Sequence, residues 1–181
     1  ENHQLSEFMK TGVITDGISR DFEHALNVMD EFGLQFAELQ FVWDKEVGFL
    51  EDAEVQKVNQ LLDLHQIKVS NICHHIFAGM PMTTKPGEPL HIQHLDRLKR
   101  CMEIAHAVGS PNVRILSPKK EQILFGAYGA EKWNVAKGAW DALLPIIAPA
   151  LEIAKDEGKQ LVVETGNGTM VNSSWTARKL I

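Results

Sequence analysis

Two hydrophobic rhythms alternate along this chain: short β-branched runs, and longer stretches with an apolar residue every third or fourth position. The first run, Thr11–Thr15 (TGVIT), predicts a strand ending in a turn at Asp16-Gly17. Ser19 suits the N-cap of a helix from Arg20 to about Phe32, with Phe22, Ala25, Leu26, Met29 and Phe32 as its buried stripe. Gly33 should stop that helix, because glycine takes a left-handed backbone without steric cost. Phe36–Val42 (FAELQFV) reads as a second strand, and a helix over Asp52–His65 turns Val55, Val58, Leu61 and Leu62 inward. Ile67–Cys73 (IKVSNIC) is a third strand, followed by the Gly/Pro-rich loop HHIFAGMPMTTKPGEP. The third helix, about His91 to Val108, carries Leu95, Leu98, Met102 and Ala105 on one face and stops at Gly109. Val113–Leu116 is a fourth strand, and after another long loop a helix runs from about Val135 to Glu157. Its Pro145 and Pro149 predict kinks or a break into two segments. Gln160–Glu164 (QLVVE) is a fifth strand, and Trp175–Ile181 begins a fifth helix.

Regular alternation of strand and helix, with short apolar strands, calls for a parallel sheet with helices outside it. A doubly wound sheet usually carries a glycine-rich phosphate loop after an early strand, and TDGIS after strand one lacks GxGxxG. The GNG in TGNG is too short to count and reads as a turn. The alternative is a (β/α)8 barrel of the TIM type. At roughly 36 residues per unit, eight units need about 290 residues, and this chain has 181. Five units are therefore expected, a partial barrel whose open side would expose strand edges and apolar interior. Residues 1–181 are read as a single barrel domain, C-terminally incomplete, or else as a chain whose open barrel edge is covered by a partner such as a second copy in a homo-oligomer.

Composition narrows the partners. The chain is 44% hydrophobic and 23% charged, ordinary for a globular domain. A net charge of −6, from 24 acidic and 18 basic residues, repels phosphate backbones and argues against nucleic acid as a partner. Cys73 and Cys101 lie in apolar stretches without CxxC spacing, so they read as small buried hydrophobes rather than as a disulfide or zinc ribbon. No apolar run reaches membrane-spanning length, and the first residues lack a signal-peptide pattern. A reducing cytoplasmic setting without a membrane partner is the expectation.

Reactive groups in parallel barrels sit at the C-terminal ends of the strands and in the loops beyond. Those positions here are Asp16, Gln40 to Asp44, His74 and His75, Ser117 to Lys119, and Glu164 to Asn167. Glu164 is the most informative, because a carboxylate ending an apolar strand needs a metal, a cation or hydrogen-bond donors. Divalent ions favour carboxylate and imidazole ligands; the structural alternative is a carboxylate paired with a lysine or arginine. Of His74 and His75 at most one faces the mouth if the strand continues, and a neutral imidazole there can bind a metal or a substrate hydroxyl. Glu38, mid-strand, reads as a structural carboxylate tied to a basic residue such as Arg114. His24, His65, His91, His94 and His106 fall on helices or their ends and are expected to be solvated or capping. Lys119 and Lys120 are expected to be solvated, with a ligand phosphate as the alternative. Trp133, Tyr128, Phe125, Phe77 and Met80 are candidate apolar pocket walls. No Ser-His-Asp pattern, P-loop or nucleophile elbow appears.

The segments GVITDGIS, GLQFAELQF, IKVSNICHH, LKRCMEIAHAVGSPNVRIL and LEIAKDEGKQLVVETGNG, in register through five units, resemble the xylose-isomerase-like barrels. That superfamily holds sugar-phosphate isomerases and epimerases, sugar-acid and inosose dehydratases, and metal-dependent apurinic endonucleases. The strongest match is a helix ending in glycine, an apolar strand and a closing glutamate, Leu151 to Glu164. The resemblance implies that Glu164 is a metal ligand and the proton-transferring base. It also implies that His74 or His75 contacts substrate, with Asn167 as a further substrate-binding position. The implied cofactor is a divalent cation (Mn, Mg, Zn or Co), with its other ligands on strands six to eight, beyond this chain. The endonucleases carry extra histidines on strands three and four. Strand four here ends Leu116-Ser117-Pro118 without one, which counts against a nuclease. The implied activity is metal-assisted isomerisation or epimerisation of a small sugar, with this chain alone inactive. Dehydration of a polyol or keto acid, and a non-catalytic binding or assembly role, are the alternatives.

Overall fold

In the computed structural model the sheet is built from parallel strands in the order in which they occur along the chain. The structure describes residues 10–120 and 137–181, so the expectations for Phe125, Tyr128 and Trp133 fall outside the described residues. Two units emerge, one from residues up to His74 with Cys101–Val113, the other from His75–Arg100 with Arg114–Ile181.

The first unit opens with strand β1 (Gly12–Ile14), which pairs in parallel with β2 (Phe36–Leu39). Gly12 is needed at this pairing, because a Cβ there would sit 3.0 Å from the Phe36 carbonyl oxygen. Helix α1 (Phe22–Glu31) is capped by Asp21, whose side chain accepts from the His24 amide. It buries Phe22, Ala25, Leu26 and Met29. Phe32, expected in that stripe, is instead 75% exposed. The helix ends one residue earlier, Gly33 turns left-handed (φ 66°) and Leu34 N–H returns to Met29 O, which leaves Phe32 outside the last helical turn. FAELQFV is likewise not one strand. It breaks at Gln40, and Phe41–Val42 (β3) forms a small antiparallel hairpin with Lys45–Glu46 (β4). Trp43 and Asp44 form its turn, both at positive φ, the conformation that tight hairpins use. Helix α2 (Asp52–His65) carries a capping box between Glu51 and Glu54 and buries Val55, Val58 and Leu62. Strand β5 (Lys68–Cys73) pairs in parallel with β2; the register shifts between Ala37 and Glu38, so Ser70 is passed over and Glu38 meets Asn71.

Helix α3 (Pro89–Ala107) and strand β6 (Asn112–Ile115) contribute residues to both units. In the second unit helix α4 (Lys137–Asp156) precedes strand β7 (Gln160–Val163), and helix α5 (Ser174–Leu180) follows, capped by Ser173 and Thr176. Pro145 and Pro149 do not break α4 in two as expected. Both lie on its less buried side, beside the exposed Leu144, while Leu143, Ile146, Ile147 and Ala150 turn inward. The carbonyls that lose an N–H partner there can be met by water, so the helix continues. Beyond the sheet the chain keeps pairing through its main chain. Leu116 N–H donates to Ile76 O, Lys119 to Met80 O, Lys120 to Gly168 O and Met170 to Pro118 O.

Candidate functional site

Glu164 directly follows β7, and its amide still donates to Ile115 O at 3.0 Å, which fixes the backbone from which the carboxylate springs. Arg114 Nη1 donates to Glu164 Oε2 at 2.5 Å. The two side chains differ in exposure, 7% for the arginine and 48% for the glutamate. The arginine is thus anchored in the interior, and it holds one oxygen of a half-exposed carboxylate. This is the arginine pairing considered as the structural alternative for Glu164. Arg114, considered as a partner for Glu38, donates to Glu164; Glu38 itself accepts from Cys73 Sγ at 3.3 Å. Both cysteines are buried and are not joined in a disulfide.

Asn167 is exposed in the turn after β7, close in sequence to Thr169, whose hydroxyl donates to Gly166 O and Val171 O. Ser117, from the fourth strand end, is buried and accepts from the Val171 amide through Oγ, a structural use of that hydroxyl. Lys119 is exposed, and its amide belongs to the main-chain ladder. His75 is half-buried, with its carbonyl accepting from the Ala78 amide.

His74, in the first unit, is only 5% exposed. Its Nδ1 lies 3.3 Å from both the Gly48 amide and Glu46 Oε1, and its ring meets Phe49 edge-on at 5.4 Å. The hairpin β3–β4 and the turn Val47–Phe49 therefore grip this ring. Neighbouring Asp16 accepts from the Phe41 amide and ties the end of β1 to the same hairpin. The hairpin was not legible in FAELQFV, because its second strand, Lys45–Glu46, is polar and carries no apolar alternation.

Two expectations are corrected by the third loop. His91 is 1% exposed and His94 half-buried, not solvated. Phe77 and Met80 are fully buried, a core for their own loop rather than the wall of an open pocket. The signal was in the spacing: His91 and His94 begin the stripe that continues through Leu98, Cys101, Met102 and Ala105.

A cleft of about 670 Å³ in the first unit lies at the other end of the strands, against Gly12, Phe36 and Lys68, the first residues of β1, β2 and β5. It is remote from the strand ends where barrel chemistry resides. Among the described residues no three His, Cys, Asp or Glu side chains are grouped to hold a metal ion. Glu164 offers one carboxylate already neighboured by a guanidinium, which opposes a second cation, so these residues do not by themselves fit a metal. No described helix is long and apolar enough to cross a membrane.

Solved structures share this fold. The IOLI protein with a bound zinc atom is 17% identical with a TM-score of 0.70, covering 96% of this chain and 58% of that one. An L-ribulose 3-epimerase is 14% identical (TM-score 0.66; 96% and 56%). A D-allulose 3-epimerase from Methylomonas sp., in complex with D-allulose, is 10% identical (TM-score 0.64; 94% and 57%). This chain spans less than two thirds of the length of each. Comparison with curated proteins gives no match. Residues 22–181 match the family described as Xylose isomerase-like TIM barrel, and the chain belongs to that family.

Proposed function

We propose that this chain supplies the first five βα units, as one incomplete barrel domain, of a cytoplasmic sugar isomerase or epimerase. In this reading Glu164 moves a proton on carbon next to a carbonyl of a small ketose. The observation that carries it is the half-exposed Glu164 carboxylate at the end of β7, held through Oε2 by Arg114 and backed by the main-chain bond to Ile115. A base of this kind must be aimed at one C–H and still reach it; a fixed backbone and one tethered oxygen provide the aim, and the partial exposure of the side chain provides the reach. His75 and Asn167, beyond the ends of β5 and β7, are assigned to substrate hydroxyls, and His74 is assigned to holding the hairpin of its own unit. Epimerases of ketoses among the solved structures of this fold support the substrate class.

A divalent cation is part of the proposal only with ligands from outside the described residues, as the zinc-bound IOLI protein suggests. The test is ketose conversion, followed by chromatography with D-allulose and L-ribulose as substrates and Mn²⁺ supplied. The expected result is no turnover by the 181-residue chain and turnover by a longer polypeptide containing it. Glu164→Gln should abolish the latter, by at least about a hundredfold. Turnover by this chain alone, or full activity of the Glu164→Gln longer form, would overturn the proposal.

A further inference from the structure

The segment between β5 and α3 holds an unusual conformation. Phe77, Gly79 and Gly87 all have positive φ, at 64°, 74° and 87°. For phenylalanine this region is sterically unfavourable, so contacts outside the local backbone help to hold it. Two histidines one turn apart on α3 do so. Phe77 N–H donates to His94 Nδ1 at 3.0 Å, and Gly87 N–H donates to His91 Nδ1 at 3.2 Å. The far side of the His91 ring closes on helix α4, where Nε2 lies 2.9 Å from Ile146 O. The Phe77 ring stacks on His91, 6.0 Å between centroids at 11°, and tilts against His94 at 5.7 Å.

The donors and acceptors fix the protonation state. A carbonyl only accepts, so His91 Nε2 carries the hydrogen; an amide only donates, so Nδ1 of each ring is bare. Each bond to the loop therefore exists only with a neutral imidazole. We infer that His94 is a proton-sensitive clasp on the loop after β5, holding it folded when neutral and releasing Phe77 when protonated, while His91 ties the same loop to α4.

Among the described residues the surroundings offer the protonated state little help. The loop presents amides and an aromatic ring, α4 presents a carbonyl, and α3 presents the other histidine. Burial, then the nearby His91, holds His94 below its ordinary value of 6.5, with no carboxylate among the causes. A histidine depressed in the folded state stabilises the fold fully above the ordinary value, and that contribution is lost as pH falls through the folded value. The clasp is thus closed at neutral pH and opens in mild acid. Because His75 lies in this loop, opening would also move a residue assigned to substrate, yet the inference does not depend on that assignment.

The experiment is amide hydrogen exchange by NMR between pH 7.5 and 5, with protection factors corrected for the intrinsic pH dependence of exchange. Protection at Phe77 should fall by up to about tenfold per pH unit on the acid side, while Ile115 in β6 keeps its protection. His94→Asn places an amide oxygen where Nδ1 stood and cannot titrate, so Phe77 protection in that variant should become independent of pH. In the unsubstituted protein, imidazole ¹⁵N shifts at pH 7.5 should report a neutral His94 with bare Nδ1. Constant protection at Phe77 across the range, an unchanged pH dependence in His94→Asn, or a protonated Nδ1 at pH 7.5 would each overturn the clasp.

Discussion

The strand ends of β5 and β7 use their polar side chains in opposite ways. His74, just after β5, is buried against Glu46, Gly48 and Phe49, so its ring is part of the scaffold of the first unit. Glu164, just after β7, is half-exposed and held through one oxygen by an interior arginine. Burial follows the same contrast: β5 has four of its six residues buried, whereas every residue of β7 is intermediate or exposed. A polar group at a strand end is committed to structure when a neighbouring hairpin folds over it. It stays available for chemistry when only its base is anchored.

The largest expected effect tests the burial contrast. Ile72→Ala in β5 removes a fully buried side chain and should cost about 3 kcal/mol. Leu161→Ala in half-exposed β7 should cost about 1 kcal/mol, both read by urea unfolding. Similar losses at the two sites would break the contrast. Next, His74→Ala should destabilise by about 2 kcal/mol, because it removes the acceptor facing the Gly48 amide and empties a packed position; an unchanged midpoint would show that the hairpin does not depend on this ring. Glu164→Gln should cost about 1 kcal/mol, since it weakens the partner of a buried guanidinium but leaves a hydrogen-bond acceptor. A stabilised variant would mean the carboxylate is strained toward another use.

The smallest effect sharpens the picture of the first unit's surface. Burial works to raise the Glu23 carboxyl, but hydrogen bonds from Lys57 and from Trp43 Nε1 outweigh it and hold it below its ordinary value of 4.5. A carboxyl depressed in the folded state adds stability above its ordinary value and loses it as pH falls through the folded one. The Trp43 indole N–H resonance should therefore stay constant through pH 4.5 and shift only below it, with a total effect on stability under about 1 kcal/mol. A shift centred above 4.5 would contradict the pairing.

Much of the fold was legible because helices and strands of this kind are specified by local periodicity. Asp52–His65 matches its expected span, whereas the N-cap expected at Ser19 falls two residues later, at Asp21, whose carboxylate reaches the His24 amide. Glu164 was legible for the same reason, as a carboxylate closing an apolar strand. By itself, then, the sequence determined the alternation of units, the parallel barrel-type sheet, the family and the carboxylate that closes the fifth unit's strand. Only the tertiary structure decided which polar groups pair. That Arg114 meets Glu164, that a hairpin grips His74, and that His91 and His94 hold the loop after β5 all depend on residues distant in sequence. Local periodicity marks which face is buried, but a hydrogen bond needs two atoms within about 3 Å, and such closeness is set by packing rather than by spacing along the chain.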